Sequence, residues 1–242
     1  MIENKIVVVT GGASGIGLAV AAAMAQCGAK VAIGGRRPDA IESALHCITG
    51  RHAAIGKSID VANRDSVNAF FEWVDTQFGE VDILVQAAGV NIRNRSMEAM
   101  KPEEWDEVLA INATGAYNCL HAVVPRMRAR KDGLIFNISS VAGKRAIALG
   151  GVAYSASKFA MTALGICVGN EASVDGVRVT NVYPGEVNTP ILDKRPVAVT
   201  EEHRQRILQP KDVADMILAI AQLPAHAHIP EIVIKPVSQN WY

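Results

Sequence analysis

The chain has 242 residues, enough for one large domain or two small ones. Half of the residues are hydrophobic, only 5% are aromatic, and 24 basic side chains balance 24 acidic ones. This composition excludes a disordered chain, and the zero formal charge provides no bulk field to attract nucleic acid or an anionic membrane.

Short β-branched runs alternate with longer helical segments along the chain. The predicted strands cover residues 6–10, 30–34, 53–60, 83–86, 134–138, 177–183 and 232–235. The predicted helices cover 15–27, 38–48, 65–78, 102 to about 130, 153–173 and 211–223. This order predicts an α/β, Rossmann-type, doubly wound sheet of seven parallel strands with helices on both faces. No linker interrupts it, so we expect a single domain over 1–242, with a variable lid segment at about 187–206.

The remaining composition indicates a cytoplasmic protein without a metal. The apolar stretch Leu18–Ala25 is too short to span a bilayer. His226 and His228 are expected to lie in a surface turn, because no third metal ligand is near them in sequence. The cysteines lack a CxxC spacing and are expected to be reduced core thiols: Cys27, Cys47, Cys119 and Cys167.

The first predicted strand leads into a glycine-rich turn, Thr10-Gly11-Gly12-Ala13-Ser14-Gly15-Ile16-Gly17. Glycines at 11, 15 and 17 permit a tight turn, close approach of a pyrophosphate and close packing of helix on sheet. The helix that follows presents free N–H groups and the positive end of its dipole to that anion. The position of the turn between a strand and a helix therefore predicts dinucleotide binding.

The end of the second strand indicates which dinucleotide binds. The position about 20 residues after the middle glycine, where an acid would bind the 2′-hydroxyl of NAD, is Gly35. Arg36 and Arg37 follow it, and their guanidinium groups suit a 2′-phosphate. We therefore favour NADP(H), with NAD(H) as the alternative in case the arginines face solvent or pair with Asp39.

The end of the third strand, Asp60-Val61, is expected to contact the adenine, Asp60 through its carboxylate and Val61 through its backbone. A turn or helix-capping role for Asp60 is the alternative.

Tyr154 and Lys158 lie four residues apart on a predicted helix, so their side chains share one face. An ammonium near a phenol lowers the pKa of the phenol from about 10. A drop of about three units needs roughly 4 kcal/mol, which a close cation and an oxidised nicotinamide supply in a partly desolvated site. The spacing alone is weak evidence, but the pair follows a strand that ends in Ser139-Ser140, where an α/β sheet binds its ligand.

Together these motifs resemble those of the classical short-chain dehydrogenase/reductases. The match is collinear over about residues 5–190. Thr10–Gly17 corresponds to the family's TGxxxGIG and Tyr154-Ser-Ala-Ser-Lys158 to its YxxxK. The remaining matches are Asn-Ile-Ser-Ser at 137–140, the strand of the catalytic serine, and Pro184-Gly185 with Thr189, the PGxxxT motif.

The resemblance implies a role for each matched residue. Tyr154 is expected to be the general acid/base, and Lys158 to bind the nicotinamide ribose and lower the pKa of the tyrosine. Ser140, rather than Ser139, is expected to hold the substrate oxygen. Asn112 is expected to hold a water in a proton relay; a helix-kink residue bonded to backbone is the alternative. The implied cofactor contacts are Gly11, Ala13, Ser14, Gly15, Ile16, Gly17, Arg36, Arg37, Asp60, Val61, Ala88, Gly89, Tyr154, Lys158, Pro184, Gly185, Val187 and Thr189.

One motif departs from the family pattern. The fourth strand of the family ends in Asn-Asn-Ala-Gly, whereas this chain has Gln86-Ala87-Ala88-Gly89. The first asparagine's structural hydrogen bonds are in doubt unless Gln86 replaces them. We expect retained activity with altered order in this loop.

The resemblance implies an enzyme that interconverts a secondary alcohol and a carbonyl, acting on a small hydroxy acid, polyol or sugar, aldehyde or ketone. A 3-oxoacyl-carrier-protein reductase is an alternative, and a non-catalytic dinucleotide-binding regulator is an alternative of another class. We expect assembly as a tetramer or dimer through the helices at about 102–130 and 153–173. Four loop cations are expected near the pocket mouth, either to bind an anionic substrate or, more often in such loops, to be solvated: Arg93, Arg95, Lys144 and Arg145.

Overall fold

The computed structural model describes residues 2–240 as alternating strands and helices. The strands are β1 (Ile6–Thr10), β2 (Lys30–Gly35), β3 (Ile55–Ser58), β4 (Ile83–Gln86), β5 (Gly133–Ile138), β6 (Val177–Pro184) and β7 (Glu231–Ile234). The α-helices are α1 (Gly15–Gln26), α2 (Pro38–Cys47), α3 (Arg64–Gln77), α4 (Pro102–Leu109), α5 (Gly115–Ala129), α6 (Val152–Ala172), α7 (Glu201–Arg206) and α8 (Pro210–Ala221).

The strands form one seven-stranded sheet in the order β3-β2-β1-β4-β5-β6-β7. Every adjacent pair is parallel. This arrangement confirms the predicted doubly wound α/β fold. The chain changes direction across the sheet between β1 and β4, and a fold of this kind binds ligands in the crevice outside the carboxyl ends of the strands at such a point.

Helices cover both faces of the sheet because the central strands are apolar on both sides. Val7 and Val9 of β1 pack into one buried layer with residues of α1 and α8. Val8, between them, packs into a second layer with residues of α3 and α5. The alternation along β1 thus anchors a helical layer on each face and holds the glycine turn that follows the strand.

The observed bounds differ from the predicted ones at particular places. The predicted strand over 53–60 is confined to Ile55–Ser58, because this edge strand pairs only with the four residues 32–35 of β2. The helical region predicted from 102 to about 130 is α4 and α5 joined by a π turn at Ala110–Thr114. The predicted lid segment holds a 3₁₀ helix at Pro190–Lys194 as well as α7.

Residues Val152–Asp175, which include α6, are long and apolar enough by length and composition alone to cross a membrane. This helix nevertheless carries Lys158 and Ser157, both buried, and packs against β6. Among residues 2–240 the structure contains no group of three or more metal-ligating side chains. The four cysteines are free thiols, but only Cys119 is buried in the core. The prediction of core thiols is wrong for Cys47 and Cys167, which are exposed, and Cys27 is half-buried.

Candidate active site

A cleft of about 470 Å³ opens at the carboxyl ends of β1, β4, β5 and β6, and a second cavity adjoins it beside β2. Ala13, Asp60 and Val61 line the second cavity. The other residues that the sequence places on the cofactor line the first: Gly11, Ser14, Gly15, Ile16, Gly17, Arg36, Arg37, Ala88, Gly89, Tyr154, Lys158, Pro184, Gly185, Val187 and Thr189. The fold therefore brings together residues that are up to about 180 positions apart in the chain.

The turn after β1 requires glycine for two separate reasons. Gly11 has a φ of +70°, and a Cβ there would lie 2.6 Å from the backbone nitrogen of Ala88. At Gly17, a Cβ would lie 2.3 Å from the carbonyl oxygen of Gly11. Both positions exclude any side chain, so the backbone forms a bare cradle between β1 and β4.

The amino terminus of α1 faces this cradle without a capping side chain. The N-cap residue, Ser14, makes no side-chain hydrogen bond to the helix, and the first turn contains no acidic residue. The first N–H groups of an α-helix lack partners within the helix, and they bind anions well. The cradle and the helix end thus fit the pyrophosphate of a dinucleotide, in accordance with the predicted role of the turn.

Two cations stand at the end of β2. Arg36 lies 3.8 Å from Glu107 and is 55% exposed, so this ion pair leaves its guanidinium accessible to a ligand. Arg37 is the N-cap residue of α2 and lines both cavities. Gly35 occupies the position at which an acidic residue would bind the 2′-hydroxyl of NAD, so no carboxylate stands there. The arrangement suits a 2′-phosphate.

Asp60 takes part in a local turn at the entrance to α3. One oxygen of its carboxylate accepts a hydrogen bond from the backbone of Ala62 at 3.0 Å, and its own N–H donates to Ser66. The neighbouring Val61 carbonyl accepts from Asn118 at 2.9 Å. The turn role that the sequence left as an alternative is therefore present, and both residues still border the second cavity.

Tyr154 and Ser140 meet on the wall of the cleft. Burial raises the pKa of Tyr154, while a hydrogen bond with Ser140 and the positive charge of Arg95 act in the opposite direction. The net shift is upward and Lys158 does not contribute to it, so the predicted lowering of this pKa by Lys158 is not found. Ser140 also accepts a hydrogen bond from the backbone of Ala142 at 3.1 Å. Ser139, in contrast, is bonded to the carbonyl of Lys158 and to Thr162. Of the two serines, Ser140 is the one whose hydroxyl contacts the tyrosine.

Lys158 lies one helical turn from Tyr154, with its Nζ 5.7 Å from the centre of the tyrosine ring. This Nζ donates a hydrogen bond of 2.8 Å to the carbonyl of Ile138 at the end of β5. Burial lowers the pKa of Lys158 to about 8. The pKa of this ammonium therefore lies closer to neutral pH than that of an exposed lysine.

Asn112 occupies the π turn between α4 and α5 and is completely buried. Its Oδ1 accepts from the N–H of Val90 at 2.8 Å, and its Nδ2 donates to the carbonyl of Val90 at 2.9 Å and to Ser157 at 3.0 Å. The backbone-bonding alternative is thus present in the geometry. Asn112 does not line the cleft itself. Its hydrogen bond to Ser157 connects it to α6, the helix that carries Tyr154 and Lys158, and the sequence did not indicate this contact.

Gln86 begins a buried row of amides that crosses three neighbouring strands. Its Nε2 donates to Asn137 at 2.7 Å, and Asn137 donates to Asn181 at 3.2 Å. The side-chain oxygen of Gln86 is buried without a hydrogen-bond partner among residues 2–240. Gln86 therefore makes one structural bond at this strand end, and the loop after it retains Ala88 and Gly89 against the cleft.

Of the four basic loop residues, only Arg95 lines the cleft. Arg93 is exposed outside it. Lys144 pairs with Glu231 and lies 4.5 Å above the ring of Tyr183. Arg145 is absent from the lining of either cavity.

The turn after β6 makes contacts that the sequence did not indicate. Glu186 lies 3.0 Å from Arg195 and 2.5 Å from His203, and its backbone N–H donates to Gln239 at 2.9 Å. These contacts join the turn after β6, the predicted lid and the tail that follows β7. They link residues 9 to 53 positions apart, which no local pattern reveals.

A doubly wound sheet with a bare glycine cradle, and with a tyrosine and a lysine on the helix beside it, defines a nicotinamide-dependent oxidoreductase. The chain belongs to the short chain dehydrogenase family, whose model matches residues 5–198. It is therefore an NAD(P)-dependent oxidoreductase.

Similar proteins cover nearly the whole chain. An uncharacterised oxidoreductase of Listeria monocytogenes is 32% identical over 248 residues, which span 99% of each protein. An alcohol dehydrogenase of the archaeon Thermococcus sibiricus, complexed with 5-hydroxy-NADP, is 28% identical with a TM-score of 0.88 over 99% of this chain and all of that one. A serine dehydrogenase complexed with NADP⁺ in its closed form is 27% identical with a TM-score of 0.89, covering 98% and 96%.

Proposed function

We propose that the chain interconverts a secondary alcohol and a carbonyl by hydride transfer, with NADP(H) as the preferred cofactor. The observation that carries this proposal is the meeting of Tyr154, Ser140 and Lys158 beside the glycine cradle, outside the end of β5. The cofactor supplies or accepts the hydride at its nicotinamide ring. We infer that the side chains of this site bind the reacting oxygen and move its proton.

Tyr154 acts as the general acid in reduction and the general base in oxidation. Its phenol and the hydroxyl of Ser140 are hydrogen-bonded to each other, so one substrate oxygen placed between them contacts both. Negative charge develops on that oxygen as the carbonyl is reduced, and the two hydrogen bonds strengthen with it. Because burial raises the pKa of Tyr154, the phenol keeps its proton until the oxygen accepts it.

Lys158 holds the ribose of the nicotinamide. Its ammonium donates to the carbonyl of Ile138 and to the sulfur of Met161, which leaves one of its three N–H donors for another partner. Asn112 keeps the loop after β4 beside Lys158 through its two bonds to Val90. We propose that Asn112 also holds the water through which the proton of Tyr154 is replaced.

The preference for NADP(H) rests on Arg36 and Arg37, which flank the second cavity where Gly35 replaces an acid. Guanidinium groups bind phosphate through paired, charge-assisted hydrogen bonds. Structurally similar proteins include an alcohol dehydrogenase and a serine dehydrogenase complexed with NADP forms, which supports a small hydroxylated substrate or its carbonyl counterpart. The chain acts as a single cytoplasmic domain, assembled as a tetramer or dimer through α4, α5 and α6.

Replacing Tyr154 with phenylalanine tests the proposal. The variant removes only the hydroxyl, so we expect turnover to fall by at least about 100-fold, the contribution of general acid–base catalysis. Binding of NADPH, measured by fluorescence titration, is expected to persist. Tyr183→Phe is the matched control, because Tyr183 lies outside the cleft and bonds to Glu231. Unchanged turnover of a carbonyl panel by Tyr154→Phe would remove this residue from the mechanism.

A further inference from the structure

The charge of the cleft differs sharply from that of the whole chain. The full sequence is neutral, but among residues 2–240 six cations and one carboxylate line the first cleft, the one that contains Tyr154. Arg36 and Arg37 stand at its adenosine end, and Lys158 belongs to the catalytic helix. This leaves Arg95, Lys194 and Arg195 against Glu186 at the other end, where the substrate enters. A concave surface with an excess of one charge raises the local concentration of ligands of the opposite sign.

Arg95 is held rigidly by neutral groups from three separate segments. Its Nε donates to the carbonyl of Ile92 at 2.9 Å, and one terminal nitrogen donates to the carbonyl of Lys194 at 3.1 Å. The other terminal nitrogen donates to the carbonyl of Leu149. A guanidinium has five N–H donors, so these three bonds leave one N–H on each terminal nitrogen. The two remaining donors match the two oxygens of a carboxylate.

No carboxylate among residues 2–240 forms an ion pair with Arg95, although its side chain is partly buried. Burial lowers the pKa of Arg95, and repulsion from the nearby Arg195 lowers it further. Glu186, the one carboxylate in the lining, is already paired with Arg195 and in contact with His203. A partly buried cation without a counter-ion lowers stability, and an anionic ligand would remove that cost.

The remaining surface beside Arg95 is apolar. Ile147, Leu149 and Ile191 line the cleft together with Tyr154, and the positive charge of Arg95 acts on the phenol of Tyr154. Tyr154, which would hold the reacting oxygen, and Arg95 therefore line one cleft that also has apolar side chains in its lining. This geometry suits a short carbon chain that carries a carbonyl at one end and an anion at the other.

We propose that Arg95 is the specificity-determining residue for a substrate carboxylate, so that the enzyme acts on short hydroxy acids and their oxo acids. The inference rests on the proposed function, because it places the carboxylate relative to an oxygen held by Tyr154 and Ser140. A carboxylate carries the single charge that one unpaired guanidinium neutralises. Lys194 adds a favourable field, whereas the charge of Arg195 is balanced by Glu186.

The test compares oxo acids with their methyl esters as substrates for NADPH oxidation. The probes are 2-oxobutanoate, 3-oxobutanoate and 4-oxopentanoate with the corresponding esters, which differ only in the negative charge and a methyl group. For at least one pair, we expect the acid to exceed the ester in kcat/KM by roughly 10- to 100-fold, the factor for a charge-assisted hydrogen-bonded pair. Arg95→Gln is expected to bring that ratio close to one, with the change mainly in KM.

Arg93→Gln is the matched control, because Arg93 is an exposed cation two residues away that does not line the cleft; its acid-to-ester ratio should equal that of the wild type. Arg95→Lys keeps the positive charge but cannot donate to all three carbonyls in the same way, so its acid-to-ester ratio of kcat/KM should be intermediate. This variant tests the inference even if Arg95→Gln does not fold. A wild-type ratio near one, or an unchanged ratio in Arg95→Gln, overturns the inference. Turnover of neutral ketones alone also overturns it and leaves the proposed function intact, whereas no NADPH oxidation with any carbonyl refutes the proposed function itself.

Discussion

Replacing Lys158 with methionine is expected to stabilise the fold at neutral pH while abolishing turnover. Burial lowers the pKa of Lys158 from 10.5 to about 8, and one pKa unit corresponds to about 1.4 kcal/mol. The folded state therefore holds the ammonium at a cost of roughly 3 kcal/mol. Losing the hydrogen bond to Ile138 offsets about 1 kcal/mol of the gain. The variant should exceed the wild type in free energy of unfolding by about 2 kcal/mol at pH 7.

The stability difference between Lys158→Met and the wild type is expected to depend on pH. Because the folded-state pKa lies below the unfolded value, the unfolded wild type binds more protons between about pH 8 and pH 10.5. Wild-type stability therefore rises with pH across this window, whereas the methionine variant lacks this contribution. The advantage of the variant should be full below pH 8 and should disappear as the pH approaches 10.5.

Urea denaturation at pH 7, 8, 9 and 10 measures both quantities. Lys101→Met serves as the control, since Lys101 is an exposed lysine outside the cleft and surface substitutions usually change stability by less than about 0.5 kcal/mol. The reasoning fails if Lys158→Met is less stable than the wild type at pH 7. It also fails if the difference between the two proteins does not change with pH.

Two further substitutions test the cofactor site and the π turn. Alanine at both Arg36 and Arg37 should lower the NADPH-to-NADH ratio of kcat/KM by at least roughly 100-fold, since each of two charge-assisted hydrogen bonds contributes about 1.5–3 kcal/mol; an unchanged ratio would show that the arginines face solvent. Asn112→Ala should lower the free energy of unfolding by about 2–4 kcal/mol, because it leaves the N–H and the carbonyl of Val90 without partners. Calorimetry should show a larger loss than for Asn118→Ala on the same helical region, and equal losses would contradict the assignment.

The sequence predicts those parts of the site that are encoded locally. The glycine turn is recognised from glycines that lie between a predicted strand and a predicted helix. The spacing of four residues alone places Tyr154 and Lys158 on one face of their helix. The doubly wound sheet follows from the alternation of elements in the same way. The arginines on which the proposed preference for NADP(H) rests are equally local, because Arg36 directly follows the end of β2.

The features of the site that the sequence does not predict depend on contacts between segments far apart in the chain. Arg95 donates to carbonyls at 92, 149 and 194, and the last two lie 54 and 99 residues away. A loop arginine of this kind is indistinguishable in sequence from Arg93, which is exposed. Gln239 contacts the backbone of Glu186 across 53 positions. The π turn at Asn112 is also invisible, because its sequence continues an ordinary helical pattern.

The row of amides from Gln86 through Asn137 to Asn181 has a consequence for how the strands are aligned. Central strands that are apolar on both faces tolerate sliding past one another, since no side chain prefers one layer strongly. Directional amide bonds between paired residues do not tolerate it, because a shift of even two positions leaves buried donors unmatched. Gly89, Ser140 and Pro184 each lie three residues beyond a member of this row. The row therefore fixes the register of β4, β5 and β6 relative to one another. This register determines where Gly89, Ser140 and Pro184 lie along the cleft.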